Sequence, residues 1–144
     1  MSVSTNKEGS MEYTNTGQVF LHYLVMSNEL NTPKVLVCPN DKNRKQAAKW
    51  GKFSDQSLSY FVGLDASETN VNSILLGDRN IFGGTTLGGS VQLFTPNTLV
   101  GWTAQIHSKV GNIGLGDGSA QQVTVQGLCN QIQKIGSPFR LAIP

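Results

Sequence analysis

"HSKVGNIGLGDGSAQQVTV", residues 107–125, is the stretch on which the fold class turns. Ile113 and Leu115 alternate with glycines on the way in, Asp117-Gly118 interrupts, and Ala120 to Val125 leads out. Period-two alternation on both sides of an Asp-Gly pair predicts a β-hairpin. Both central positions of a type I′ turn need positive φ, which Gly adopts freely and Asp tolerates. The glycines therefore read as turn and packing residues rather than as a phosphate cradle.

Downstream, "VQGLCNQIQKIG" (125–136) carries Leu128, Ile132 and Ile135 on one helical face, with Gly136 as a C-terminal stop. "FRLAIP" (139–144) is expected to add an edge strand. Upstream, "SVQLFT" (90–95) and "VGWTAQIH" (100–107) are apolar enough for strands or buried loops. "FGGTTLGGS" (82–90) reads as a loop between strands; it lacks the Lys-Ser/Thr ending and the spacing of phosphate-binding glycine motifs. "SILLGD" (73–78) is a strand. So is "SLSYFVGL" (57–64), with Leu58, Tyr60, Val62 and Leu64 as its core face. "KVLVCP" (34–39) is a short strand ended by Pro39. Val19, Tyr23, Met26 and Leu30 form a helical stripe over 16–31, capped by Asn15 or Thr16 and ended before Pro33. Residues 1–15 are polar and irregular. Helix, strands, helix in that order predicts one α+β domain over residues 1–144, with a mostly antiparallel sheet and flanking helices.

The composition excludes more than it assigns. No run of 18 apolar residues is present, and the first residues lack the apolar core of a signal peptide. Lys and Arg number 11 against 9 Asp and Glu, and the basic run "DKNRKQAAKWGK" (41–52) is too sparse for a nucleic-acid stripe. Trp50, Phe53, Tyr60 and Phe61 near it could stack bases, but their alternation fits a sheet core better. Two histidines and two distant cysteines cannot assemble a zinc set of the usual kind. Cys38 and Cys129 fit two separate thiols, or a disulfide closing a loop of about 90 residues and worth ~4 kcal/mol in an oxidising compartment.

Catalysis finds little support. His107, Asp117 and either Ser108 or Ser119 supply the residue types of a hydrolytic triad without its nucleophile elbow. His22 lies one position off the helical stripe and reads as a flank residue with no chemical role. Calcium has candidate oxygen donors in Asp65, Glu68, Asp78 and Asp117, all in or beside turns but without EF-hand spacing.

His107 precedes Asp117-Gly118 by nine residues, and this His-x9-Asp-Gly pattern resembles the C-terminal signature of bacterial type IV pilin-like (prepilin-type) proteins. "VMSNELNTPKVLVCPND" (25–41), "LSYFVGLDASETN" (58–70), "ILLGDRN" (74–80) and "GNIGLGDGSAQQV" (111–123) resemble the same family in the same order. The resemblance implies a pilin-like domain whose long N-terminal hydrophobic helix is absent, with Met1 just downstream of it. It implies a structural, non-enzymatic subunit of a type IV pilus or type II secretion pseudopilus. That subunit would be exported, anchored by the missing helix in the inner membrane, and partnered by other pilin or pseudopilin subunits. Without the helix, the sheet is expected to expose an apolar groove through which two chains could dimerise. The calcium loop of major pseudopilins finds no residue-by-residue match, so no cofactor is implied. The alternative is an exported ion- or ligand-binding surface domain, with calcium as its ion. His107, Asp117 and Gly118 would be structural, His107 bonding its turn or a neighbouring backbone carbonyl to fix the last two strands.

Overall fold

The computed structural model describes residues 4–7 and 9–144; residues 1–3 and 8 of the irregular N-terminal stretch lie outside the described residues. The hairpin forms where the sequence places it. β7 (Val110–Leu115) and β8 (Ala120–Thr124) pair continuously from Val110–Thr124 to Gly114–Ala120. Its turn is one residue longer than a type I′ turn. The Gly118 N–H donates to the Leu115 carbonyl and the Leu115 N–H to the Ser119 carbonyl, so residues 116–118 form the loop. Of these three only Gly118 has positive φ, +82°, as in the three-residue connection closed by a left-handed glycine. The two-residue turn lies instead at the other end of β7. Ser108 and Lys109 take φ of 54° and 68°, and the Val110 N–H donates to the His107 carbonyl at 3.2 Å.

The hairpin is the margin of a seven-stranded antiparallel sheet. The order is β4 (Thr85–Gly88), β5 (Val91–Phe94), β9 (Phe139–Ala142), β1 (Tyr60–Gly63), β2 (Ile74–Asp78), β7 and β8. A small second sheet pairs β3 (Ile81–Phe82) with β6 (Gly101–Trp102). The chain is thus α+β. Two expectations are corrected: the glycine-rich stretch 82–90 contributes strand β4, and the C-terminal tail is an interior strand between β5 and β1.

Both faces of the central strands are covered. On one, Phe61, Ile74, Phe94, Ile113, Leu115, Phe139 and Leu141 pack under β3–β6 and under α3 (Val125–Ile135). The Thr124 hydroxyl caps α3 by accepting the Gly127 N–H, and Gly136 ends it at φ +73°, as its stripe and stop signal predict. On the other face, Val62, Leu64, Val91 and Ala142 pack against Val19, Tyr23, Leu36, Ala47, Phe53 and Leu58. Phe61, expected to face away from the core, is fully buried, while Tyr60 is half-exposed. Gly77 is what admits the Phe61 ring, since a Cβ there would lie 2.5 Å from it.

The N-terminal layer departs most from expectation. Instead of one helix over 16–31 there are α1 (Phe20–Leu24) and α2 (Ser27–Leu30), preceded by a 3-10 turn at Met11–Asn15. Thr16 bonds locally to Gln18 and Tyr13, and the cap of α1 comes from afar, the Asp55 carboxylate accepting the Phe20 N–H at 2.7 Å. The segment expected as a strand at 34–39 is a 3-10 helix, Pro33–Leu36, begun by proline and capped by Thr32. Among the described residues no helix is long and apolar enough to cross a membrane.

Candidate functional site

Strand β2 ends at Asp78, and Arg79 and Asn80 form the turn that leads into β3. Each is bonded to a different part of the molecule. Asp78, 1% exposed, accepts the backbone N–H of Asn112 at 2.6 Å and its side-chain amide at 2.9 Å, locking β2 to β7. Arg79 makes a two-pronged ion pair with Asp41, at 2.7 and 2.8 Å, fastening the 38–44 loop to the sheet. Asn80 donates to the Thr103 carbonyl at 2.9 Å. Asp41 also accepts from the Ser59 hydroxyl at 2.9 Å. Burial alone would raise the Asp41 carboxyl, but the hydrogen bonds from Arg79 and Ser59 outweigh it and hold it below the ordinary carboxylate value.

His107 closes this knot. Its Nε2 lies 3.5 Å from Asp78 Oδ2 and 3.5 Å from Cys38 Sγ, with the imidazole largely buried. Tyr60, opposite Asp78 in the sheet register, is pushed up to about 12, first by burial and then by its acidic neighbours Cys38, Asp78 and Asp41. Asp78 Oδ1 is buried without a hydrogen-bond partner. The expected partner of His107 is thereby corrected. Its backbone carbonyl closes the turn to Val110, but its ring reaches two side chains from distant stretches rather than a carbonyl.

A cysteine, a histidine and an aspartate in contact invite comparison with a nucleophilic relay. In such a relay one ring nitrogen takes the nucleophile's proton while the carboxylate holds the other. Here Nε2 alone faces both Cys38 and Asp78, and Cys38 is 6% exposed. The arrangement suits a packed polar junction better than proton transfer to a substrate.

The residues singled out from the sequence are mostly not brought together. Asp117 lies beyond the far end of β7 from His107, a strand length of ~20 Å. It accepts the Ser119 N–H at 2.9 Å, and the Ser119 hydroxyl, then this N–H, hold its carboxyl below the ordinary value. Cys38 and Cys129 are both free thiols with different neighbours, Cys129 lying on α3 toward the Val100 carbonyl. The four carboxylates weighed for calcium are divided. Asp65 pairs with Arg140 at 2.6 Å, Asp78 is in the knot, and only Glu68 and Asp117 share a cleft, lined also by Ser67 and Leu75. Among the described residues, no group of three His, Cys, Asp or Glu side chains is arranged to hold an ion. Phe53 and Phe61 are core residues, out of reach of a nucleic-acid base. His22 is no flank residue: it is 1% exposed and its Nδ1 lies 3.0 Å from the Ser10 hydroxyl.

Asp41, Asp78, Arg79 and Asn112 carry the junction with His107, and the sequence reading assigned none of them this part. They lie in the stretches 25–41, 74–80 and 111–123, which the fold brings together here. Compared with family models, curated proteins and solved structures, the chain matches none.

Proposed function

We propose that this chain is the globular domain of a type IV pilin-like or type II secretion pseudopilin-like subunit. It is a structural component, exported and acting through contacts with other subunits rather than by catalysis. The observation that carries this reading is the fate of the polar residues in the resembling stretches. Asp41, Asp78, Arg79 and His107 are spent on internal bonds that hold loop, turn and hairpin together, not on an open cleft. A second support is the sheet face opposite α3. There Leu76 stands half-exposed with its side chain lying over Gly114, a single apolar contact point that a helix could cover.

The coding sequence immediately upstream of Met1 tests the reading. A leader ending in glycine followed by an apolar helix is expected, and the longer product should be cleaved by a prepilin peptidase. An upstream region without such a segment overturns it. Thermal melts separate the alternative. On this reading millimolar calcium leaves the melting temperature unchanged, whereas a rise reversed by EDTA favours an ion-binding surface domain.

A further inference from the structure

We propose that β8 is a docking edge for a second copy of this chain, joining two seven-stranded sheets antiparallel about a twofold axis at Gln122. The strand lies at the margin of the sheet, and its five residues, Ala-Gln-Gln-Val-Thr, contain neither charge nor proline. All but Val123 are exposed. Edge strands that must stay single are shielded by charges, prolines or bulges. The opposite edge has such a shield, since the pairing of β4 shifts register between Thr86 and Gly88. β8 pairs with β7 without a break.

The ladder shows which groups point outward. The Leu115 N–H bonds to the Ser119 carbonyl. Alternation along an antiparallel pair then directs Gln121 and Val123 toward β7 and turns the backbone groups of Ala120 and Gln122 and the Thr124 N–H to the outside, the Thr124 carbonyl being taken by the first turn of α3. Asn112, opposite Gln122, accordingly spends its N–H on Asp78 rather than on β8. A twofold axis at Gln122 makes Gln122 bond its own counterpart and places Ala120 opposite Thr124 of the second copy. The register is self-complementary.

Charge selects the antiparallel sense. At the Ala120 end of the hairpin lies the exposed carboxylate of Asp117; at the Thr124 end lie exposed Lys109 and the positive N-terminus of the 11-residue α3. Antiparallel pairing sets each acidic end beside the basic end of the other copy, whereas parallel pairing would join like ends. This inference stands apart from the pilin reading, because it uses the edge of the sheet and not the face bearing Leu76.

Sedimentation velocity on the intact chain across the micromolar range tests it. The wild type should pass from monomer to dimer with rising concentration. Gln122→Lys and Gln122→Glu, each placing like charges face to face at the axis, should weaken the dimer about tenfold or more, ~1.4 kcal/mol. An equimolar mixture of the two variants should restore it as a heterodimer. A wild type that stays monomeric at hundreds of micromolar, or a dimer that neither variant weakens, overturns the proposal.

Discussion

Ser108 and Lys109 bend the chain into β7 with φ of 54° and 68°, where a residue bearing a Cβ loses roughly 1 kcal/mol or more. Asparagine and glycine are the residues such a turn prefers. Ser108→Asn with Lys109→Gly is therefore expected to stabilise the chain by about 1 kcal/mol, read as a higher urea midpoint at unchanged m-value. Asp78 and Asp117 should differ in how much they matter. Asp78→Ala removes a buried carboxylate that holds two Asn112 donors and faces His107, so a loss of about 3 kcal/mol is expected in the same measurement. Asp117→Ala removes one bond in an exposed turn and should leave the urea midpoint nearly unchanged. That His107 and Asp117-Gly118 bracket a strand was legible, because β7 runs from one turn to the other. The partner of His107 was not, since Asp78 and Cys38 lie 29 and 69 residues away and nothing local points to them.

Elements whose ends are set locally were readable, and those capped from a distance were not. The start and stop of α3 are written in Thr124 and Gly136, neighbours of the apolar stripe they bound. The start of α1 depends on Asp55, so the same kind of stripe over 16–31 gave one long helix where two short ones form. His22, within α1, is buried against Ser10, and that burial lowers its pKa below the ordinary imidazole value of about 6.5. The folded state then holds His22 neutral while the unfolded chain takes up a proton. This contribution to stability is complete above the unfolded value and is lost as pH falls below it. Unfolding free energy should drop as pH falls below about 6.5, and His22→Gln should flatten that slope in urea titrations at each pH.

Strand order across the sheet is set by contacts that no short stretch encodes. Sequence-adjacent β7 and β8 were paired correctly because a turn joins them, and "FRLAIP" was assigned to an edge because it ends the chain. In the folded molecule β9 completes the sheet interior, with Phe139 and Leu141 in one core and Ala142 in the other. Its backbone bonds to β5 on one side and β1 on the other, and Arg140 ties it to Asp65. Removing residues 139–144 would strip apolar burial worth ~1.5–3 kcal/mol from each of Phe139 and Leu141. It would also leave the facing edges of β5 and β1 without partners. Together these losses are comparable to the whole net stability of a domain, about 5–15 kcal/mol. A chain ending at Pro138 should therefore show no cooperative transition in near-UV circular dichroism. Adding a peptide of sequence FRLAIP in excess should restore one by filling the gap. Were β9 a dispensable edge, the truncated chain would instead melt cooperatively only a few degrees below the intact protein.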